Sequence, residues 1–142
     1  MKLADILVVE DCAFDIEIIK GLMKADHMKF NLHTAVNGQD ALDFLNSDKN
    51  PGIDFILLDI NMPFMDGFSF LEYKQEHAVP DCPVVVCTSS TYDEDMDKAY
   101  LLGATDYIEK PPSIDKIKNF IGKIKTVYLD ENDNEFRILQ AA

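Results

Sequence analysis

Four short apolar stretches of this sequence end in side chains able to do chemistry. The stretch from Asp5 to Val9 runs into Glu10-Asp11, and the one from Asp54 closes on Asp59. The stretch from Pro83 closes on Thr88, and the one from Thr105 to Ile108 is soon followed by Lys110. In an open parallel sheet, ligands bind beyond the carboxyl ends of the strands, so strand-ending residues carry more functional weight than interior ones. If these stretches are neighbouring strands, three carboxylates converge on one small volume and repel one another unless a cation or protons intervene. Mg2+ (or Mn2+) is the natural cation, because hard ions take oxygen ligands and Mg2+ keeps several waters around a few carboxylates.

Each residue also has a plainer reading. Glu10-Asp11 would serve as a solvated cap of the following helix. Thr88 alone reads as a strand end, Lys110 before Pro111-Pro112 as a surface lysine, and Asp59 as the point where a strand passes into a loop at Asn61-Met62-Pro63. Their joint placement at four strand ends is harder to assign to chance. No rival metal site is suggested: His27, His33 and His77 fall in separate elements, and Cys12, Cys82 and Cys87 show no CxxC spacing.

The elements that must position these residues alternate, short β-rich runs with longer segments of helical period, which is the pattern of a parallel α/β domain. Strands are expected at Asp5 to Val9, Phe30 to Val36, Asp54 to Asp59, Pro83 to Thr88 and Thr105 to Ile108. The first, third and fourth are nearly continuous in Ile, Leu and Val, as for central strands covered on both faces, whereas the second suits an edge. Helices are expected over Ala13 to Ala25, Gly38 to Asn46, Phe68 to His77 and Asp93 to Leu102, the last opened by a Thr91–Glu94 capping box and ended by Gly103. A final helix behind a Ser113 cap carries the stripe Ile114, Ile117, Phe120, Ile121, Ile124 and Val127. The expected division is a domain over residues 1 to 127 and a tail over 128 to 142. That tail is either a small packed extension, a partner-binding strand or a frayed end, the last being the more frequent outcome.

At 142 residues the chain has room for one domain of the common size, about 100–150 residues. A formal net charge of −13 repels nucleic-acid phosphates and anionic membrane surfaces, which argues against direct binding to either. No apolar run approaches the roughly 20 residues that span a bilayer, and acids appear too early for a signal peptide, so a cytoplasmic location is expected.

Together these residues resemble the response-regulator receiver family of two-component signalling, in order over about residues 3 to 127. The likeness rests on Glu10-Asp11, on Leu57-Leu58-Asp59-Ile60-Asn61-Met62-Pro63 with Asp66-Gly67, on Val86-Cys87-Thr88, and on Gly103-Ala104-Thr105-Asp106-Tyr107-Ile108-Glu109-Lys110-Pro111. The resemblance implies an α/β, flavodoxin-like (βα)5 doubly wound parallel sheet with strand order 2-1-3-4-5. It also implies that Asp59 accepts a phosphoryl group from a histidine kinase or phosphotransfer protein. Glu10, Asp11, Asp59 and the backbone carbonyl of Asn61 would hold the divalent cation, some through water. Lys110 would pair with the phosphoryl oxygens and Thr88 would hydrogen-bond to them. These roles agree with phosphoryl transfer, whose barrier falls mainly through positioning and charge neutralisation.

Output, on the same resemblance, follows when Thr88 shifts toward the phosphoryl group and Tyr107 turns inward behind it. The surface so altered joins the helix after Thr91, the strand near Tyr107 and the helix after Ser113, for a downstream protein target or a homodimer. The chain would then be a stand-alone switch and not an enzyme, beyond its own phosphorylation and dephosphorylation. A cis Lys110-Pro111 bond is expected, and Pro112 departs from the family pattern in a way that shifts the start of the last helix. A haloacid-dehalogenase-type phosphatase needs a second acid two positions after Asp59, where Asn61 stands and cannot shuttle a proton. A flavin-phosphate binder needs donors after the first strand, where Glu10 and Asp11 repel the phosphate. A receiver-shaped binding module without phosphorylation is the alternative left open.

Overall fold

A computed structural model of the protein describes residues 2–25, 27–62, 64–77, 82–90, 92–132 and 134–141. In chain order the elements are β1 (Asp5–Val9), α1 (Ala13–Ala25), β2 (Met28–Lys29), β3 (Asn31–Ala35), α2 (Gly38–Leu45), β4 (Phe55–Leu58) and α3 (Gly67–Glu76). Then follow β5 (Val84–Thr88), α4 (Asp93–Leu101), β6 (Asp106–Glu109), α5 (Ile114–Ile121), β7 (Val127–Asn132) and β8 (Glu135–Gln140). A five-stranded parallel sheet runs in the order β3-β1-β4-β5-β6. Counting only its own members this is 2-1-3-4-5, the flavodoxin-like arrangement.

Alternation along each strand sends successive side chains to opposite faces, so each central strand feeds two apolar layers. Leu7, Val9, Ile56, Leu58, Val84 and Val86 pack with Ala41, Leu42, Leu45, Phe70, Leu71 and Ala99 of α2, α3 and α4. Ile6, Val8, Phe55, Leu57, Val85 and Cys87 pack with Ile19, Ile117, Phe120 and Ile121 of α1 and α5. Phe55 and Phe120 meet edge to face at 5.1 Å between ring centroids. Each such large side chain, fully buried, stabilises the fold by about 1.5–3 kcal/mol. The strands covered on both faces, β1, β4 and β5, are therefore buried at every position.

Helix starts follow from side-chain caps at Asn37, Asp66 and Ser113, whose oxygens accept from the N–H groups of Asp40, Ser69 and Lys116. The expected Thr91 cap lies outside the described residues; α4 begins after Tyr92, which makes no side-chain capping bond. Gly103 follows α4 with φ of 100°, in the left-handed region expected for it. No described helix is long and apolar enough to cross a membrane.

The final stretch departs from the sequence expectation. Helix α5 stops at Ile121, and Val127, read as its last stripe residue, instead opens β7 opposite Gln140. Gly122 weakens helix continuation, and a β-branched Val gains more in a ladder. The tail is not frayed: β7 and β8 form an antiparallel pair, β8 pairs in parallel with β2, and Leu139 bridges to Leu3. Ile138 and Leu139 are 0% and 1% exposed, so the tail is fastened by core burial.

Candidate functional site

The parallel register brings the strand ends to one rim. Val9 pairs with Leu58, Leu58 with Val86, and Thr88 with Glu109, so Glu10, Asp59, Thr88 and Lys110 emerge side by side. Backbone bonds carry the ladder past the strands: Glu10 N–H to Ala35 O at 2.9 Å, Asp59 N–H to Val9 O at 3.0 Å, and Lys110 N–H to Thr88 O at 2.9 Å. The main chain of each functional residue is thereby fixed before its side chain is considered.

Glu10 and Asp59 are each 5% exposed and Thr88 is fully buried, while Asp11 stands in solvent. Carboxylate oxygens of Glu10, Asp11 and Asp59 lie within 4.8 Å of one another. Lys110 answers this crowding, its ammonium donating to Glu10 Oε2 at 2.6 Å, Asp15 Oδ2 at 2.8 Å and Asp59 Oδ2 at 3.4 Å. Burial lifts the Glu10 carboxyl to about 7, against the Lys110 hydrogen bond and with the help of the Asp59 charge. Burial works to lower the Lys110 ammonium, but its hydrogen bonds to Asp15 and Glu10 and the charge of Asp59 outweigh it and raise the group above its ordinary value. Burial pushes the Cys87 thiol up to about 12, in keeping with an inert side chain.

Around Asp59 the contacts extend away from the acids. Asn61 donates its N–H to Asp59 Oδ1 at 3.2 Å and its side-chain amide to Thr88 Oγ1 at 3.4 Å. Thr88 Oγ1 also accepts from Ser90 N–H at 3.3 Å, and the half-buried Tyr107 donates its hydroxyl to Ser90 O at 3.1 Å. A hydrogen-bonded series thus leads from Asp59 to Tyr107. The Lys110-Pro111 bond is cis, as the resemblance implies. A cavity of about 280 Å³ opens beside the group, with Glu10, Asp15, Asp59 and Lys110 at its polar end and Ile18, Ile19 and Pro112 on its apolar wall.

Of the residues singled out from the sequence, Glu10, Asp11, Asp59, Asn61, Thr88 and Lys110 meet at this rim, and Tyr107 is joined to it through Ser90. Two were missed. Asp15 lies in the first turn of α1 and not at a strand end, and its bond to Lys110 spans 95 residues of sequence, which no local pattern signals. Ser90 carries no local signal in the sequence, and its links to Thr88, Asp95, Tyr92 and Tyr107 need coordinates to be seen. The all-oxygen donor set, crowded carboxylates with one driven toward neutrality, fits a hard divalent cation. Among the described residues no second cluster of this kind occurs. The histidines take other partners: His33 meets Asp5 at 2.9 Å and His77 stacks on Tyr73.

Comparison with known proteins agrees with this geometry. The response regulator receiver domain family matches residues 6–122. The two-component response regulator ARR12 of Arabidopsis thaliana is 30% identical over 127 residues, 89% of this chain and 20% of that protein. The chain thus spans only a fraction of the length of curated relatives it matches. The solved bacteriophytochrome response regulator AtBRR superposes with a TM-score of 0.78 at 28% identity, covering 94% of this chain and 100% of that one. The Mn2+-bound form of response regulator Rcp1 gives a TM-score of 0.68 at 29% identity, covering 84% and 90%. Fold, rim and sequence match converge, and the chain belongs to the response regulator receiver domain family.

Proposed function

We propose that this protein is a phospho-accepting switch in which Asp59 takes a phosphoryl group from a histidine kinase or phosphotransfer protein. Receiver domains as a family are phospho-accepting switches that work with such donors and with downstream targets. The observation that carries the reading for this chain is the Lys110 ammonium held among Glu10, Asp15 and Asp59 at a rim that also gathers Asp11.

Glu10, Asp11, Asp59 and the Asn61 backbone carbonyl would hold Mg2+ or Mn2+. When bound, the cation supplies positive charge against the transferred group and offsets the repulsion among the acids. An Asp59 carboxylate oxygen attacks phosphorus, the O–P bond forms, and the bond to the donor breaks with its electron pair leaving on the donor. Lys110 stands where it can pair with the new phosphoryl oxygens, and Thr88 lies one side chain away, linked through Asn61. Recruitment of Thr88 to the phosphoryl group would withdraw the acceptor of Ser90 N–H and loosen the loop that holds the Tyr107 hydroxyl. The output face is then α4, β6 and α5, offered to a downstream protein or a second copy. Acting with such donors, the protein works in the cytoplasm as a switch, not as an enzyme on an outside substrate.

Incubation with acetyl phosphate and Mg2+ should add the mass of one phosphoryl group, and Asp59→Asn or removal of metal by EDTA should abolish the gain. An unmodified parent protein would instead favour a receiver-shaped binding module that does not use phosphorylation.

A further inference from the structure

Three carboxylates share one ammonium, and a lysine has only three N–H donors. The bonds are unequal: Glu10 at 2.6 Å, Asp15 at 2.8 Å and Asp59 at 3.4 Å. Shorter charge-assisted bonds are the stronger ones, so Lys110 is held mainly by Glu10 and Asp15 and only loosely by the residue it is meant to serve. Asp15 differs from the other two in kind. It comes from the first turn of α1, and its carboxylate is not part of the group of Glu10, Asp11 and Asp59 that could share a cation. A cation there would draw charge from Glu10 and Asp59 and leave Asp15 as the acid with no other partner than Lys110 among these contacts.

We infer that Asp15 is a positioning residue that holds the Lys110 ammonium back from Asp59 and competes for it with the incoming phosphoryl group. The inference rests on the reading of Asp59 as phosphoryl acceptor and deepens it. A phosphoryl group brings three acceptor oxygens to an ammonium whose donors are all engaged, so one carboxylate must give up its bond. Asp15 also places a charge that the cation does not offset beside the path of an anionic donor. It therefore slows phosphorylation and weakens the hold on the product. With acetyl phosphate as donor, the Asp59 oxygen bonds to phosphorus, the phosphorus–oxygen bond to acetate breaks, and acetate leaves with the electron pair. No proton or redox partner is needed.

The test follows the gain of phosphoryl mass with time in the full chain, with acetyl phosphate and Mg2+, for the parent, Asp15→Asn, Asp15→Glu and Glu17→Gln. Asp15→Asn should react roughly two- to fivefold faster, the range set by one partly exposed charge. Asp15→Glu restores the carboxylate and should return toward the parent rate. Glu17 is an exposed acid on the same helix, and its variant should match the parent, which separates local competition from bulk charge. With Mg2+ present, beryllofluoride should bind Asp15→Asn more tightly by a similar factor, while Mg2+ alone should not bind more tightly. An Asp15→Asn protein no faster than the parent, or a Glu17→Gln protein equally accelerated, overturns this inference alone. Weaker binding of both probes also overturns it, since it marks a merely structural role. A parent that gains no mass removes both the inference and the function it rests on.

Discussion

Glu10 sets the tone of the rim, since it is the most deeply buried acid in contact with Lys110 and its carboxyl is lifted from 4.5 to about 7. Burial is the leading cause; the Lys110 hydrogen bond opposes it and the Asp59 charge adds to it. The folded protein then binds a proton at Glu10 more tightly than the unfolded chain does. Stability from this group is fully present below about pH 4.5 and is lost as pH rises through about 7. Urea unfolding in EDTA, from about pH 4.5 to about 7.5, should therefore show a downward component in the parent that Glu10→Gln removes. Identical pH slopes in the two proteins would mean that Lys110 keeps Glu10 ionised throughout.

At the scale of elements, the rim depends on how closely α3 approaches the end of β4. Gly67 begins α3, and a Cβ there would sit 2.6 Å from both the Asp59 carbonyl oxygen and Ile60 Cα. Both neighbours are backbone, so a side chain is accommodated only by moving the helix start or the strand end that presents Asp59. Gly67→Ala should cost about 1–3 kcal/mol, as overpacking does, and slow phosphoryl uptake as well. A variant equal to the parent in both unfolding and uptake would show that the loop between Asp59 and Gly67 yields freely. The Asp66-Gly67 pair was legible in the sequence as part of the family likeness, but the contact that requires glycine was not. Contacts between segments have no periodicity to read, whereas the five strands and the first helix announce themselves through burial on two faces or one. For the same reason Glu10, Asp59, Thr88 and Lys110 could be found as strand ends, and Asp15, which reaches Lys110 from 95 residues away, could not.

Over the whole molecule, the part least legible from sequence is the last stretch, because its strands find their partners far back in the chain. Val127 continues the apolar stripe of α5 in sequence, yet it sits in β7, and only the pairing of β8 with β2 and of Leu139 with Leu3 shows why. Phe136 to Leu139 is too short an alternation to identify a buried strand by itself. Polar ties reinforce the join: Gln140 donates to Asp5 and Asp54, and Thr126 donates to the Asp54 carbonyl at 2.8 Å. Ile138 belongs to the same apolar layer as Ile6, Phe55 and Phe120, so the hairpin shares the core of the receiver sheet. Unfolding should then be one cooperative transition that includes the hairpin, and Ile138→Ala should lower stability by about 2–5 kcal/mol, as for other large-to-small changes in a core. Denaturant unfolding followed by far-ultraviolet dichroism measures this directly. A loss below about 0.5 kcal/mol, the usual effect of surface substitutions, would mean that the hairpin detaches without cost to the sheet and that the rim is built independently of it.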